Sequence, residues 1–217
     1  MALTPQDASR HTREICALAP IVPVLVIHDA RHARPLAEAL VAGGLPALEV
    51  TLRTPAALDA IRAMAGVPGG HVGAGTLITP EDVRAAKQAG ARFGVSPGAT
   101  QALLDACEAE TLAVLPGAAT ASEAMALLER GYDMLKFFPA EASGGAPALK
   151  AIGAPLPQIT FCPTGGITPE NAASYLRLDN VLCVGGSWIA PQALIDAERW
   201  DEIEALARSA AALGRAA

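Results

Sequence analysis

The strongest constraint on this chain is a regular beat. Short apolar runs return roughly every 20–25 residues: Ile21–Ile27, Ala47–Leu52, Val72–Gly75, Arg92–Ser96, Thr111–Leu115, Tyr132–Phe138, Gln158–Cys162 and Val181–Val184. Most of the intervals carry a one-face helical pattern, as in Arg34–Ala42, Ala56–Met64, Pro80–Ala89 and Ser122–Arg130. Strands and helices alternating at this spacing build parallel βαβ units. Eight such units predict a (β/α)8 TIM barrel, one domain over residues 1–217, with an additional N-terminal helix at about Pro5–Ala17. An open doubly wound sheet is the rival arrangement.

The punctuation agrees with the beat. Thr-Pro occurs at Thr4-Pro5, Thr54-Pro55, Thr79-Pro80 and Thr168-Pro169. Threonine caps free amides and proline at the first helical position has no bond to lose, so each pair predicts a helix start. Thr120 to Glu123 reads as a capping box. Gly43-Gly44, Gly90 and Gly131 suit left-handed helix stops. A last helix is expected over Trp200–Leu213.

With 52% apolar and 18% charged residues, the chain is too greasy for disorder, and only 4% aromatics leaves the core to aliphatic side chains. A net charge of −6 provides no basic stripe for nucleic acid. No apolar run reaches the roughly 18–20 residues that span a bilayer, and Met1–Arg13 lacks the apolar segment of a signal peptide. A cytoplasmic protein is the expectation. Cys16, Cys107, Cys162 and Cys183 are far apart in sequence and form no CxxC, so they read as reduced, buried small hydrophobes. His11, His28, His32 and His71 form no ligand set and read as surface residues, so no metal and no cofactor are expected.

A barrel carries its chemistry at the C-terminal ends of its strands. Lys136 sits in the apolar run MLKFF. Alternation puts Met134, Lys136 and Phe138 on one face, and Leu135 and Phe137 on the other, toward the helices. Lysine inside a barrel favours its neutral amine, which can attack a ketone and form a Schiff base. The alternative is a lysine paired with a core carboxylate. Glu49, Thr51 and Arg53 share a face of the second run, which makes Glu49 a proton shuttle and Arg53 a bidentate partner for a carboxylate. A fully extended strand would hold Glu49 and Arg53 roughly 13 Å apart. They share a ligand only if the chain curls after Leu52 or the ligand spans the gap. A structural Glu–Arg ion pair is the alternative. Gly165-Gly166 and Gly185-Gly186-Ser187 fall in the seventh and eighth loops, the recurrent phosphate site of this architecture. Neither loop contains Lys or Arg, so backbone amides and the Ser187 hydroxyl would hold the anion.

Six motifs run in order along the chain: LEVTLRT (Leu48–Thr54), VGAGT (Val72–Thr76), SPG (Ser96–Gly98), KFFPAE (Lys136–Glu141), CPTGGI (Cys162–Ile167) and GGSW (Gly185–Trp188). Together they resemble the 2-dehydro-3-deoxy-6-phosphogluconate (KDPG) aldolases, the KHG/KDPG class I aldolase family of the Entner–Doudoroff pathway. The resemblance implies a carbon–carbon lyase in which Lys136 forms the Schiff base and Glu49 moves protons. It also implies that Arg53 and Thr76 bind the pyruvate carboxylate and that Pro97 and Phe138 wall the site. Gly165, Gly166, Gly186 and Ser187 then hold phosphate. Thr164 favours the gluconate over the galactonate epimer, since the galactonate enzymes tend to carry Val there. Cleavage of 4-hydroxy-2-oxoglutarate and a homotrimeric assembly are implied likewise. The alternatives are the galactonate-epimer aldolase, a phosphosugar isomerase on the same barrel, and a non-catalytic barrel that binds a phosphorylated effector.

Overall fold

The computed structural model describes residues 2–213. Helix α1 (Pro5–Cys16) leads into nine short strands interleaved with helices. The order continues β1 (Ile21–Leu25), α2 (Ala33–Ala42), β2 (Ala47–Thr51), α3 (Ala57–Met64), β3 (His71–Gly75), α4 (Pro80–Gln88), β4 (Phe93–Val95) and α5 (Gln101–Ala109). Next come β5 (Val114–Leu115), β6 (Gly117–Ala118), α6 (Ala121–Arg130), β7 (Met134–Phe137), α7 (Gly145–Gly153) and β8 (Thr160–Pro163). The chain then runs through α8 (Pro169–Leu176), β9 (Val184–Gly186), α9 (Gln192–Asp196) and α10 (Trp200–Ala211). All pairings are parallel, as βαβ connections require.

The strands form a six-stranded sheet in the order β5-β4-β3-β2-β1-β9 and a three-stranded sheet β6-β7-β8. Pro116 separates β5 from β6; with no N–H to donate, it interrupts the fifth run. Isolated parallel bridges Phe161–Val181 and Thr164–Gly185 link the β8 segment to the β9 segment. The eighth run is therefore displaced from the expected Val181–Val184. The strand lies at Val184–Gly186, where glycines mask any apolar pattern.

Two apolar clusters show which way the strands face. Leu48, Val50, Leu135, Phe137 and Phe161 pack outward against the helices. Met134, Cys162, Phe93, Val95 and Leu115 pack inside the curl of the sheet, joined by Ile15 and Cys16 from the end of α1. Alternation along β7 thus turns Lys136 inward, with Met134.

The helix signals were accurate where the contact is local. Thr79 accepts from the Asp82 amide at 3.2 Å and Asp82 accepts from Thr79 at 2.9 Å. Thr120 and Glu123 close the same box before α6. Gly44, Gly90 and Gly131 all adopt positive φ. Thr54-Pro55 is the exception, because α3 starts at Ala57 without a side-chain cap. The Thr54 hydroxyl instead donates to the Ile27 carbonyl, a partner 27 residues away. Of the histidines, His28 is exposed and His11 and His71 are partly exposed, in keeping with surface positions, while His32 is more enclosed, against the Trp200 ring.

Candidate active site

Glu49 and Lys136 meet inside the curl of the sheet. Glu49 lies in β2, in register with Gly73 of β3 and Val24 of β1, while Lys136 pairs with Gly117 and Cys162. Lys136 Nζ donates to Glu49 Oε1 at 3.3 Å, and the two side chains are only 6% and 4% exposed. Gly75 makes room for this carboxylate, since a Cβ there would lie 2.3 Å from Glu49 Oε1. Lys136 Nζ also stands 5.2 Å from the centre of the Phe138 ring. Two ionisable side chains thus share a nearly water-free space, a costly arrangement that a merely structural contact does not require.

Arg53 follows β2, where the chain turns after Thr51, and the Leu52 amide donates to the Gly75 carbonyl at 2.8 Å. This turn carries Arg53 Nε to 3.3 Å from Thr76 Oγ1. Thr76 has φ 62°, the left-handed region that a β-branched residue avoids. The strain lies where the strand ends open into the cavity.

That cavity has a volume of about 270 Å³, with walls that include Val24, Arg53, Phe138, Thr164, Gly165 and Ser187. Among the described residues, Arg53 brings the only charge to this wall. The loops after β7 and β8 are stapled together: Ala140 donates to the Thr164 carbonyl at 2.8 Å and Glu141 to the Gly165 carbonyl at 3.1 Å. Gly165 and Gly166 sit at φ 103° and 76°, and a Cβ on Gly166 would meet Glu141 at 2.7 Å, so both turns need glycine. The Tyr175 hydroxyl donates to Glu141; burial, then that carboxylate, pushes its pKa upward and keeps it a donor. Across the cavity Thr164 lies over Gly185, where a Cβ would approach its hydroxyl to 2.3 Å.

Most residues singled out from sequence converge on this place. Phe138, Thr164, Gly165, Gly166, Ser187 and Arg53 line the cavity, Thr76 touches Arg53, and Glu49 and Lys136 form the pair described above. Two are set differently. Pro97 is exposed and its carbonyl abuts Gly117, while Gly186 packs beneath the Trp188 ring, and neither lines the cavity. The sequence reading missed Val24 and Val26, along with Ile167. The two valines share a face of the first run, so its alternation was the signal available.

The arrangement can hold an anion-bearing molecule by its Arg53 end and its glycine end, with an amine and a carboxylate beside it. Comparison with known proteins agrees. The profile of the KDPG and KHG aldolase family matches residues 12–206. A 2-dehydro-3-deoxy-phosphogluconate aldolase from Pseudoalteromonas atlantica is 52% identical over 202 residues, covering 93% of this chain and 94% of the relative. The crystal structure of the Zymomonas mobilis 2-keto-3-deoxy-6-phosphogluconate aldolase with 3-phosphoglycerate superposes with TM-score 0.91. It shares 50% identity and covers 96% of this chain and 98% of that one. The KDPG aldolase of Legionella pneumophila, with pyruvate captured at low pH as a covalent carbinolamine intermediate, gives TM-score 0.89 at 48% identity. There the coverage is 92% of this chain and 97% of that one.

Proposed function

This chain belongs to the KDPG and KHG aldolase family, and from that premise we propose that it cleaves 2-dehydro-3-deoxy-6-phosphogluconate to pyruvate and glyceraldehyde 3-phosphate. The observation that carries the reading is the buried Lys136–Glu49 pair beside a cavity with a cation at one end and a glycine cradle at the other. Arg53 and Thr76 hold the 2-oxo acid carboxylate. The neutral amine of Lys136 adds to C2, and Glu49 relays protons as the carbinolamine loses water. The iminium then draws electrons from the C3–C4 bond while Glu49 takes the proton of the C4 hydroxyl. Glyceraldehyde 3-phosphate leaves, the enamine on Lys136 takes a proton at C3, and hydrolysis frees pyruvate. Amides of the Gly165-Gly166 and Gly186-Ser187 loops hold the phosphate and orient the reacting carbons. Phe138 walls the site, and Pro97 supports it through Gly117.

The same reading extends to the whole molecule. The bridges between the β8 and β9 segments, and the single residue between β5 and β6, support a closed (β/α)8 barrel acting as one domain. Its α1 sits at the end away from the site. A homotrimer in the cytoplasm, cleavage of 4-hydroxy-2-oxoglutarate and a reaction without metal or cofactor complete the proposal. Among the described residues no helix is long and apolar enough to cross a membrane.

Thr164 favours the gluconate epimer. Pyruvate release from the two purified epimers tests this, with the gluconate epimer expected to give the higher kcat/KM. A faster galactonate epimer would overturn the role of Thr164, and release from neither would overturn the aldolase itself.

A further inference from the structure

Three cysteines far apart in sequence meet on the inner side of the sheet. Cys16 is the last residue of α1, Cys162 lies in β8, and Cys183 immediately precedes β9. Their Sγ atoms all lie within 4.8 Å of one another, all three thiols are free, and all three residues are buried. Among the described residues this is the one cluster of three or more histidine, cysteine or acidic side chains with such a spacing. Apolar Ile15, Val22, Phe93 and Met134 pack around it, and on the β8 side Cys162 lies beside the Thr164 hydroxyl and in register with Lys136.

We propose that Cys16, Cys162 and Cys183 form a binding site for a soft, three-coordinate metal ion of the Cu(I) class, separate from the cavity that holds substrate. Three sulfurs around one ion, at bond lengths of roughly 2.3 Å, stand about 4 Å apart, so the cluster closes on an ion by sub-ångström adjustments. The donor set selects the ion. Thiolates favour Cu(I) and Zn(II) over hard cations. Structural zinc sites are almost always four-coordinate, and among the described residues no fourth histidine, cysteine or carboxylate joins this cluster. Cu(I) accepts three sulfurs. Binding forms three Cu–S bonds and releases the thiol protons to solvent, with no change of oxidation state.

The test is anaerobic titration of the full chain with Cu(I) against a Cu(I) chelator of known affinity, followed by X-ray absorption. One ion retained per chain, with only sulfur neighbours, is the expected result. Cys16→Ser, Cys162→Ser and Cys183→Ser should each weaken retention by more than the roughly 10–100-fold typical of outer-shell changes. Cys107→Ser, which removes a buried cysteine from the outer helix layer, should leave it unchanged. Circular dichroism of each variant separates loss of the site from loss of the fold, and Cys→Ala replacements stand in where serine unfolds the chain. Failure of the wild-type chain to hold Cu(I) against the chelator would reduce the cluster to core packing. Equal retention by the folded single variants, nitrogen or oxygen neighbours in the absorption spectrum, or tighter binding of Zn(II) than of Cu(I) would also overturn the proposal.

Discussion

Replacing the buried pair reports on why it exists. Lys136 and Glu49 bond at 3.3 Å with almost no solvent around them. In Glu49→Leu a buried cation loses its partner, and in Lys136→Met a buried carboxylate does. Each should lower stability by about 3–5 kcal/mol. For a chain of this size, where each kcal/mol moves the midpoint by roughly 2–4 °C, that means melting points lower by roughly 6–20 °C. The double variant Glu49→Leu/Lys136→Met removes both charges and fills the space with apolar groups of similar size. It should match the parent or exceed it by about 1–4 kcal/mol, although the single losses would sum to about 6–10 kcal/mol. Urea unfolding of all four proteins, read by circular dichroism, gives the cycle. The double variant should be stable and inactive, since no amine remains to join a keto acid. A double variant less stable than the parent by about 3 kcal/mol or more would refute the reasoning, because the pair would then serve the fold rather than the chemistry.

Gly185→Ala places a methyl 2.3 Å from the Thr164 hydroxyl. It should cost about 1–3 kcal/mol of stability and lower kcat/KM, and Thr164→Ala in the same chain should restore much of the stability, as urea unfolding and steady-state assay would show. The Asp29 carboxylate, hydrogen-bonded by Arg31, is held down at about 2. A depressed carboxylate stabilises above its unfolded value of 3.8 and loses that contribution as pH falls through about 2, so its NMR titration midpoint should lie near 2 in the parent and rise in Arg31→Ala. Burial pushes the Cys107 thiol up to about 12. Little thiolate forms at pH 8, so peptide mass spectrometry after iodoacetamide should find Cys107 unmodified in the native chain and alkylated in urea.

The sequence showed what local chemistry decides. The capping boxes at Thr79 and Thr120 are three-residue contacts, and β7 is a strong alternating run, so the helix starts and the inward turn of Lys136 were readable. Thr54 looked like the other Thr-Pro caps, yet its hydroxyl answers to a carbonyl 27 residues away. Pro116 splits the fifth strand, and glycines form most of the last one, so apolar periodicity misplaces both. The convergence of Lys136, Glu49 and Arg53 followed from residue type and register. Their cavity neighbours Val24 and Val26 carry no chemical label, and alternation alone pointed to them. The cysteine cluster had no sequence signal at all, because Cys16 reaches its partners only when α1 folds against the sheet.

The most direct measurement is borohydride reduction in the presence of pyruvate, followed by peptide mass spectrometry. The account predicts a reduced pyruvate adduct on Lys136, absent without pyruvate and absent in Lys136→Met. An unmodified Lys136, or an adduct confined to Lys87 or Lys150, in a chain that still cleaves substrate at full rate would contradict it.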